Sequence, residues 1–129
     1  MRDYKFYQVL SAKAATGIGQ LINVKDFRHV IVAIGTADSA NLTVKCVGSI
    51  EETAPDFTAA QAADNMYDFL EMADYQSGSK IAGDTGIAFA GTDDYRLLEI
   101  NTNGMEWITF RVTARSAGSV TVKVLAFQN

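Results

Sequence analysis

Residues 101–124 read NTNGMEWITFRVTARSAGSVTVKV, and this stretch decides the fold class. Within it, Ile108, Phe110 and Val112 alternate with polar neighbours, which is the period of a β-strand with one buried face. Asn103-Gly104 precedes the run and RSAGS follows it, and both favour tight turns. We therefore predict two adjacent strands, residues 105–114 and 120–127, with a hairpin turn at each of these two signals.

Similar short runs of β-branched and aromatic residues extend to the N-terminus. They cover residues 4–10, 21–24, 27–34, 41–47, 66–73, 80–82, 87–90 and 95–101. Because turn signals recur every ~8–12 residues, the sequence predicts an all-β, antiparallel β-sandwich that is jelly-roll-like, with roughly eight or nine short strands. Residues 56–73 are ambiguous between helix and strand. We expect a short helix or loop over residues 57–63, at most one such helix, and a strand after it.

The length and composition suit one folded domain. The 129 residues are 48% hydrophobic and 20% charged, which is the balance of a globular chain. We predict a single domain over residues 1–129, with residues 1–10 as an N-terminal strand or arm.

Catalytic and metal-binding patterns are scarce. Cys46 is the only cysteine and lies on the same side of a predicted strand as Leu42 and Val44, which indicates a buried apolar role. His29 is the only histidine and lies within a strand pattern, so it has no second histidine for a conventional zinc site. We predict a protein that is not an enzyme, with no catalytic residues, no cofactor and no metal.

The charge pattern points to protein partners. The formal net charge of −4 argues against nucleic acid and against an anionic membrane as partners. Residues 47–79 contain no Lys or Arg, whereas seven acidic residues fall there. This segment is either a solvated acidic loop or a contact for a basic surface. The candidate interface residues in and beside it are Glu51, Glu52, Asp56 and Phe57.

Aromatic residues give two further hypotheses. Tyr4, Phe6 and Tyr7 are candidates for an N-terminal contact with another subunit. A second set could form a stacking platform for a sugar, or could fill the core; it consists of Trp107, Tyr95, Tyr67 and Phe57.

The N-terminal sequence MRDYKFYQVL lacks the apolar run of a signal peptide, so we expect synthesis in the cytoplasm without export by that route.

Several turn and strand motifs together resemble a known group of proteins. These motifs are GDTG at residues 83–86, Y-x-L-x-x-x-N-T-N-G at 95–104, the Trp-bearing strand, and AGSVTVKV at 117–124. Residues 26–49, DFRHVIVAIGTADSANLTVKCVGS, extend the similarity to earlier strands. The chain resembles small β-sandwich virion proteins of tailed bacteriophages.

The resemblance implies a role in assembly without catalysis. Such proteins often act as capsid decoration or cement proteins, frequently as homotrimers that bind the major capsid protein, and others act as tail adaptors or head-binding domains. We therefore expect a cement protein of the virion, made in the host cytoplasm. A carbohydrate-binding module is the alternative.

Overall fold

The structure is a computed structural model that describes residues 4–128. These residues contain ten strands and no helix. The strands are β1 (Tyr4–Lys13), β2 (Gly17–Ile18), β3 (Ile22–Asn23), β4 (His29–Ser49), β5 (Asp68–Phe69), β6 (Met72–Asp74), β7 (Lys80–Ile81), β8 (Ile87–Ala90), β9 (Tyr95–Asn101) and β10 (Trp107–Phe127).

Two long strands organise the sheet. β4 and β10 are each 21 residues long and pair antiparallel from Trp107↔Ser49 at one end to Phe127↔His29 at the other. Around them the main strand order is β1-β10-β4-β9-β6-β7, while β2 and β3 pair with β10, and β5 and β8 pair with β4. The all-β, antiparallel class is confirmed. All ten strands belong to one sheet, and the jelly-roll sandwich stays a prediction.

The long strands are strongly bent. A straight strand of 21 residues would span about 70 Å. Yet the Val24 N–H donates to the carbonyl of Glu106, directly before β10, and the Arg28 N–H donates to the carbonyl of Phe127, at its far end. Residues 24–28 can span at most about 18 Å, so both ends of β10 lie at the same end of the molecule.

Alternation of side chains along the bent sheet builds the core. Even-numbered residues of β4 are buried on both sides of the bend, from Val30 to Ile34 and from Leu42 to Cys46. Ile108, Phe110 and Val112 of β10 are buried in the same cluster, as the sequence predicts. The odd-numbered residues of β4 lie on the opposite face of the sheet, which we call the outer face.

Both predicted hairpins are wrong. RSAGS lies inside β10, and the strand continues through it with shifts of register and with Gly118 at φ +76°. Asn103-Gly104 does form a turn, closed by the Met105 N–H donating to Thr102. However, the strands on either side of it both pair with β4 and not with each other. The prediction of eight or nine short strands is corrected in the same way, because the runs at residues 27–34 and 41–47 fall in one continuous strand, β4, from His29 onward.

Residues 56–65 form a loop, which is one of the two alternatives predicted for residues 57–63. The side chain of Asn65 closes this loop, accepting from the Asp56 N–H at 2.7 Å and donating to the carbonyls of Asp56 and Ala60. The strand predicted at residues 66–73 exists as two shorter strands, β5 and β6. Of residues 1–10, for which a strand or arm is predicted, those from Tyr4 onward belong to β1, while residues 1–3 lie outside the described residues.

Candidate interaction surfaces

The N-terminal aromatic residues divide between two faces of β1. Tyr4 and Phe6 lie on the outer face, 55% and 69% exposed, with their ring centroids 5.9 Å apart. Tyr7 has the opposite orientation, packs against the core, and carries the Lys5 ammonium 5.4 Å above its ring. Only Tyr4 and Phe6 are therefore placed for contact with a partner.

The outer face continues from these residues across three strands, β1, β10 and β4. Phe6 pairs with Leu125, which in turn pairs with Ile31. Tyr4 pairs with Phe127, whose ring lies 4.3 Å from that of His29. Residues that pair directly share a face of the sheet, so these side chains form two neighbouring apolar rows.

Beyond these rows the same face carries a groove of about 560 Å³. Its floor is made of small residues, among them Ala33, Gly35 and Ala37 of β4. Tyr95 and Leu97 of β9 line it, and they are 79% and 54% exposed. The sequence analysis names Tyr95 as a candidate for sugar stacking, but it does not name Leu97 as a surface candidate. The available signal is the alternation along β9. Leu98 and Ile100 are buried, so Tyr95, Leu97 and Glu99 lie together on the other side of the strand.

The acidic segment, residues 51–74, lies apart from β1. Glu51 and Glu52 are exposed and line a shallow hollow of about 430 Å³. The carbonyl of Glu52 accepts a 3.0 Å hydrogen bond from the indole nitrogen of Trp107, at the start of β10. β1 pairs with residues 120–127 of β10, and neither Tyr4 nor Phe6 lines this hollow, so the two groups of candidate residues are not gathered in one pocket.

Asp56 and Phe57 have mainly structural surroundings. The Asp56 carboxylate accepts from both the hydroxyl and the backbone N–H of Thr58, and these hydrogen bonds lower the pKa of Asp56. Phe57 is fully buried, with its ring 5.4 Å from that of Tyr67 in a small second cluster. Its side chain therefore lies in the interior instead of on a contact surface.

The aromatic set considered for sugar stacking is not assembled on one surface. Phe57 and Tyr67 are buried, and the Tyr67 hydroxyl donates to the carbonyl of Ala59 at 2.6 Å. Trp107 is partly buried against their cluster, while Tyr95 lies in the groove of the outer face. Most of these side chains therefore fill or border the core.

The next two residues are Cys46 and His29, the cysteine and the histidine of the sequence. Cys46 is buried, and burial raises the pKa of its thiol far above the usual range. His29 Nδ1 lies 4.0 Å from a Glu99 carboxylate oxygen. Between residues 4 and 128, no three His, Cys, Asp or Glu side chains form a cluster suited to a metal ion. The same part of the chain has no helix of the length and hydrophobicity that crossing a membrane requires.

Comparisons with known proteins place the fold. No protein-family model matches the sequence, and a search of curated proteins finds no match. Among solved structures, the chain is similar to the SPBc2 prophage-derived protein YomS, with a TM-score of 0.71 and 16% identity over 99% of this chain and 96% of YomS. It is also similar to the PBSX exported protein XepA, with a TM-score of 0.73 and 12% identity over 98% of this chain. The chain spans 38% of the length of XepA. At these identities the likeness shows a shared fold.

Proposed function

We propose that this chain is a non-enzymatic structural protein of a phage virion that assembles with itself and stabilises the head by binding the major capsid protein. The observation that carries the proposal is the end-to-end similarity to YomS, a prophage-derived protein of nearly the same extent. The similarity to a second prophage protein, XepA, adds support for a phage origin.

The surfaces of the molecule are compatible with this role. Tyr4 and Phe6 offer exposed apolar contacts on the outer face. Glu51 and Glu52 belong to a separate acidic surface that could contact a basic partner. A head decoration protein needs contacts of both kinds, because it binds its own copies and the shell.

The proposal is tested on purified virions of the phage whose genome encodes this chain. Virions are separated on a density gradient, heads are parted from tails, and the chain is quantified by mass spectrometry against the major capsid protein. We expect the chain in the head fraction at a fixed ratio to that protein. Recovery in the virion-free supernatant would overturn the structural role, and recovery with tails alone would overturn the head assignment.

A rebinding experiment serves as the control for adventitious recovery. Heads from a deletion phage are incubated with increasing amounts of the purified chain. Specific decoration predicts saturable binding at the ratio found in the virion, whereas non-saturating binding contradicts the proposal.

A further inference from the structure

The outer face of the sheet is unusually apolar for a surface. Three aromatic side chains, Tyr4, Phe6 and Tyr95, are exposed by 55%, 69% and 79%. A fully buried aromatic side chain removes about 150–250 Å² from water, so these three leave roughly 400 Å² of mostly apolar surface exposed. Leu97 and the partly buried residues of the two apolar rows extend the same patch.

This area is close to what a stable pair of proteins requires. A typical interface buries about 800 Å² on each partner, and the three aromatic residues supply about half of it. The floor of the groove and the rows through Ile31 and Leu125 cover the surface between them. Aromatic residues with few charges are also the usual composition of an interface core.

The face carries both exposed aromatic side chains and a groove. Tyr4 and Phe6 project at one end, and the groove of about 560 Å³ lies further along the same strands. Gly35 keeps this groove open, because a Cβ there would lie 3.0 Å from the ring of Tyr95. A projection and a recess on one face are exchanged by a twofold axis, so that each copy fills the groove of the other.

The charges on the face do not oppose such a pairing. Lys123 lines the groove, and among residues 4–128 it has no ion-pair partner within 4 Å. Glu99 lies on the same face, with a carboxylate oxygen 4.0 Å from His29 Nδ1. At the edge of the same face Lys80 pairs with Ala73, which pairs with Glu99, and the Lys80 ammonium lies 3.8 Å from the Glu71 carboxylate. Cations and anions therefore balance on each face, and two facing copies meet without net repulsion.

We propose that the outer face is the self-association surface of this protein and that it joins two copies face to face about a twofold axis. The inference rests on the proposed function only for the expectation that the chain assembles with itself. Because Tyr4, Phe6 and the groove lie on one face, a twofold pairing buries both contact regions of both copies and leaves none free for a third copy. The assembly therefore ends at two copies, whereas the resemblance implies three.

The test is the mass in solution of the full chain and three variants, measured by sedimentation velocity over a dilution series. Phe6→Ser removes the projection, and Ala33→Glu places a carboxylate in the recess. Ile50→Ser is the matched control, because Ile50 is 74% exposed but follows the end of β4, outside the outer face. Thermal melts confirm that each variant is folded.

We expect a monomer–dimer equilibrium whose dissociation constant rises at least about tenfold in the first two variants and stays unchanged in Ile50→Ser. A monomer at every concentration, a trimer, or a dimer that is insensitive to both variants would overturn the proposal. The virion assay is independent of this result. A head-bound protein that is monomeric in solution would refute the dimer alone, and a dimer absent from virions would refute the virion role alone.

Discussion

A single buried ion pair ties the small strand β6 to β9. The Asp74 carboxylate accepts from the Arg96 guanidinium, from the Gln76 N–H at 3.0 Å and from the Ser77 hydroxyl at 3.0 Å. Only 1% of the Asp74 side chain is exposed. Burial raises the pKa of Asp74. The hydrogen bonds, led by that from Arg96, lower it by more than burial raises it, so the pKa lies below the ordinary carboxyl value.

We therefore predict that Asp74→Asn destabilises the protein by roughly 3 kcal/mol at neutral pH, because it removes one partner of a buried pair. Asp94→Asn is the control on the same arginine, since Asp94 is 46% exposed and lies 3.9 Å from it. This change should cost less than about 1 kcal/mol. Urea unfolding of both variants gives the comparison, and equal losses would contradict the importance of the buried pair.

The same carboxylate makes stability depend on acid pH. A folded pKa below the unfolded value means that the contribution of Asp74 is complete above about pH 4, the unfolded carboxyl value, and is lost as the pH falls through the folded value. The difference in stability between the wild type and Asp74→Asn should therefore shrink in that acid range. A difference that stays constant would show that the charge of Asp74 is not its cause.

At the level of elements, the bend of the long strands is the feature that organises the sheet. Gly118 lies at the bend of β10 with φ +76°, and a Cβ there would come within 2.4 Å of the Cα of Ala40 and 2.6 Å of the carbonyl oxygen of Ala37. The two long strands thus approach each other so closely at this point that only glycine fits. Asp38 and Ser39 of β4 also have positive φ, at 63° and 53°.

We predict that Gly118→Ala destabilises the protein by roughly 3 kcal/mol, through both the clash and the unfavourable backbone conformation. Gly78→Ala separates the two effects, because Gly78 has φ +72° but open space around its Cβ position. It should cost about 1–2 kcal/mol, the conformational part alone. Thermal and urea unfolding would measure both, and equal losses would argue against the steric contact.

This bend also explains what the sequence could not predict. Alternation identified the buried residues of β4 and β10, including Cys46 and Phe110, because a period of two is a local property. The RSAGS stretch around Gly118 predicts a hairpin turn, because a glycine that bends a continuous strand has the same local sequence as a glycine at which the chain reverses. The pairing of β4 on both sides of Asn103-Gly104 is a long-range contact with no local signal. For the same reason, only the structure decides between the surface and core positions considered for Phe57, and only the structure reveals the groove beside Tyr95.

At the scale of the whole molecule, charge is distributed unevenly. Seven of the fifteen acidic residues lie in the acidic segment, while the remaining eight are outnumbered by eleven Lys and Arg elsewhere. Two of the seven are neutralised locally, since Asp74 binds Arg96 and Glu71 lies 3.8 Å from Lys80. The other five make no ion pair within residues 4–128 and are exposed; they are Glu51, Glu52, Asp56, Asp64 and Asp68.

If this acidic surface contacts a basic region of the capsid, neutralising it should weaken head binding and reduce its dependence on salt. Asp56 is a poor choice for substitution because its carboxylate organises the turn at Thr58. The better variant combines Glu51→Gln, Glu52→Gln and Asp64→Asn, whose side chains are exposed. Binding to heads from the deletion phage would be measured at low and high salt.

The face-to-face dimer gives this last experiment its internal control. Glu51, Glu52 and Asp64 line a hollow that shares no residue with the groove of the outer face, so the triple variant should leave the dimerisation constant unchanged while binding to heads falls. Phe6→Ser should weaken dimerisation. It should reduce head binding only to the extent that the dimer contributes to that binding. A triple variant that binds heads as the wild type does, with the same salt dependence, would show that the acidic segment is only a solvated surface.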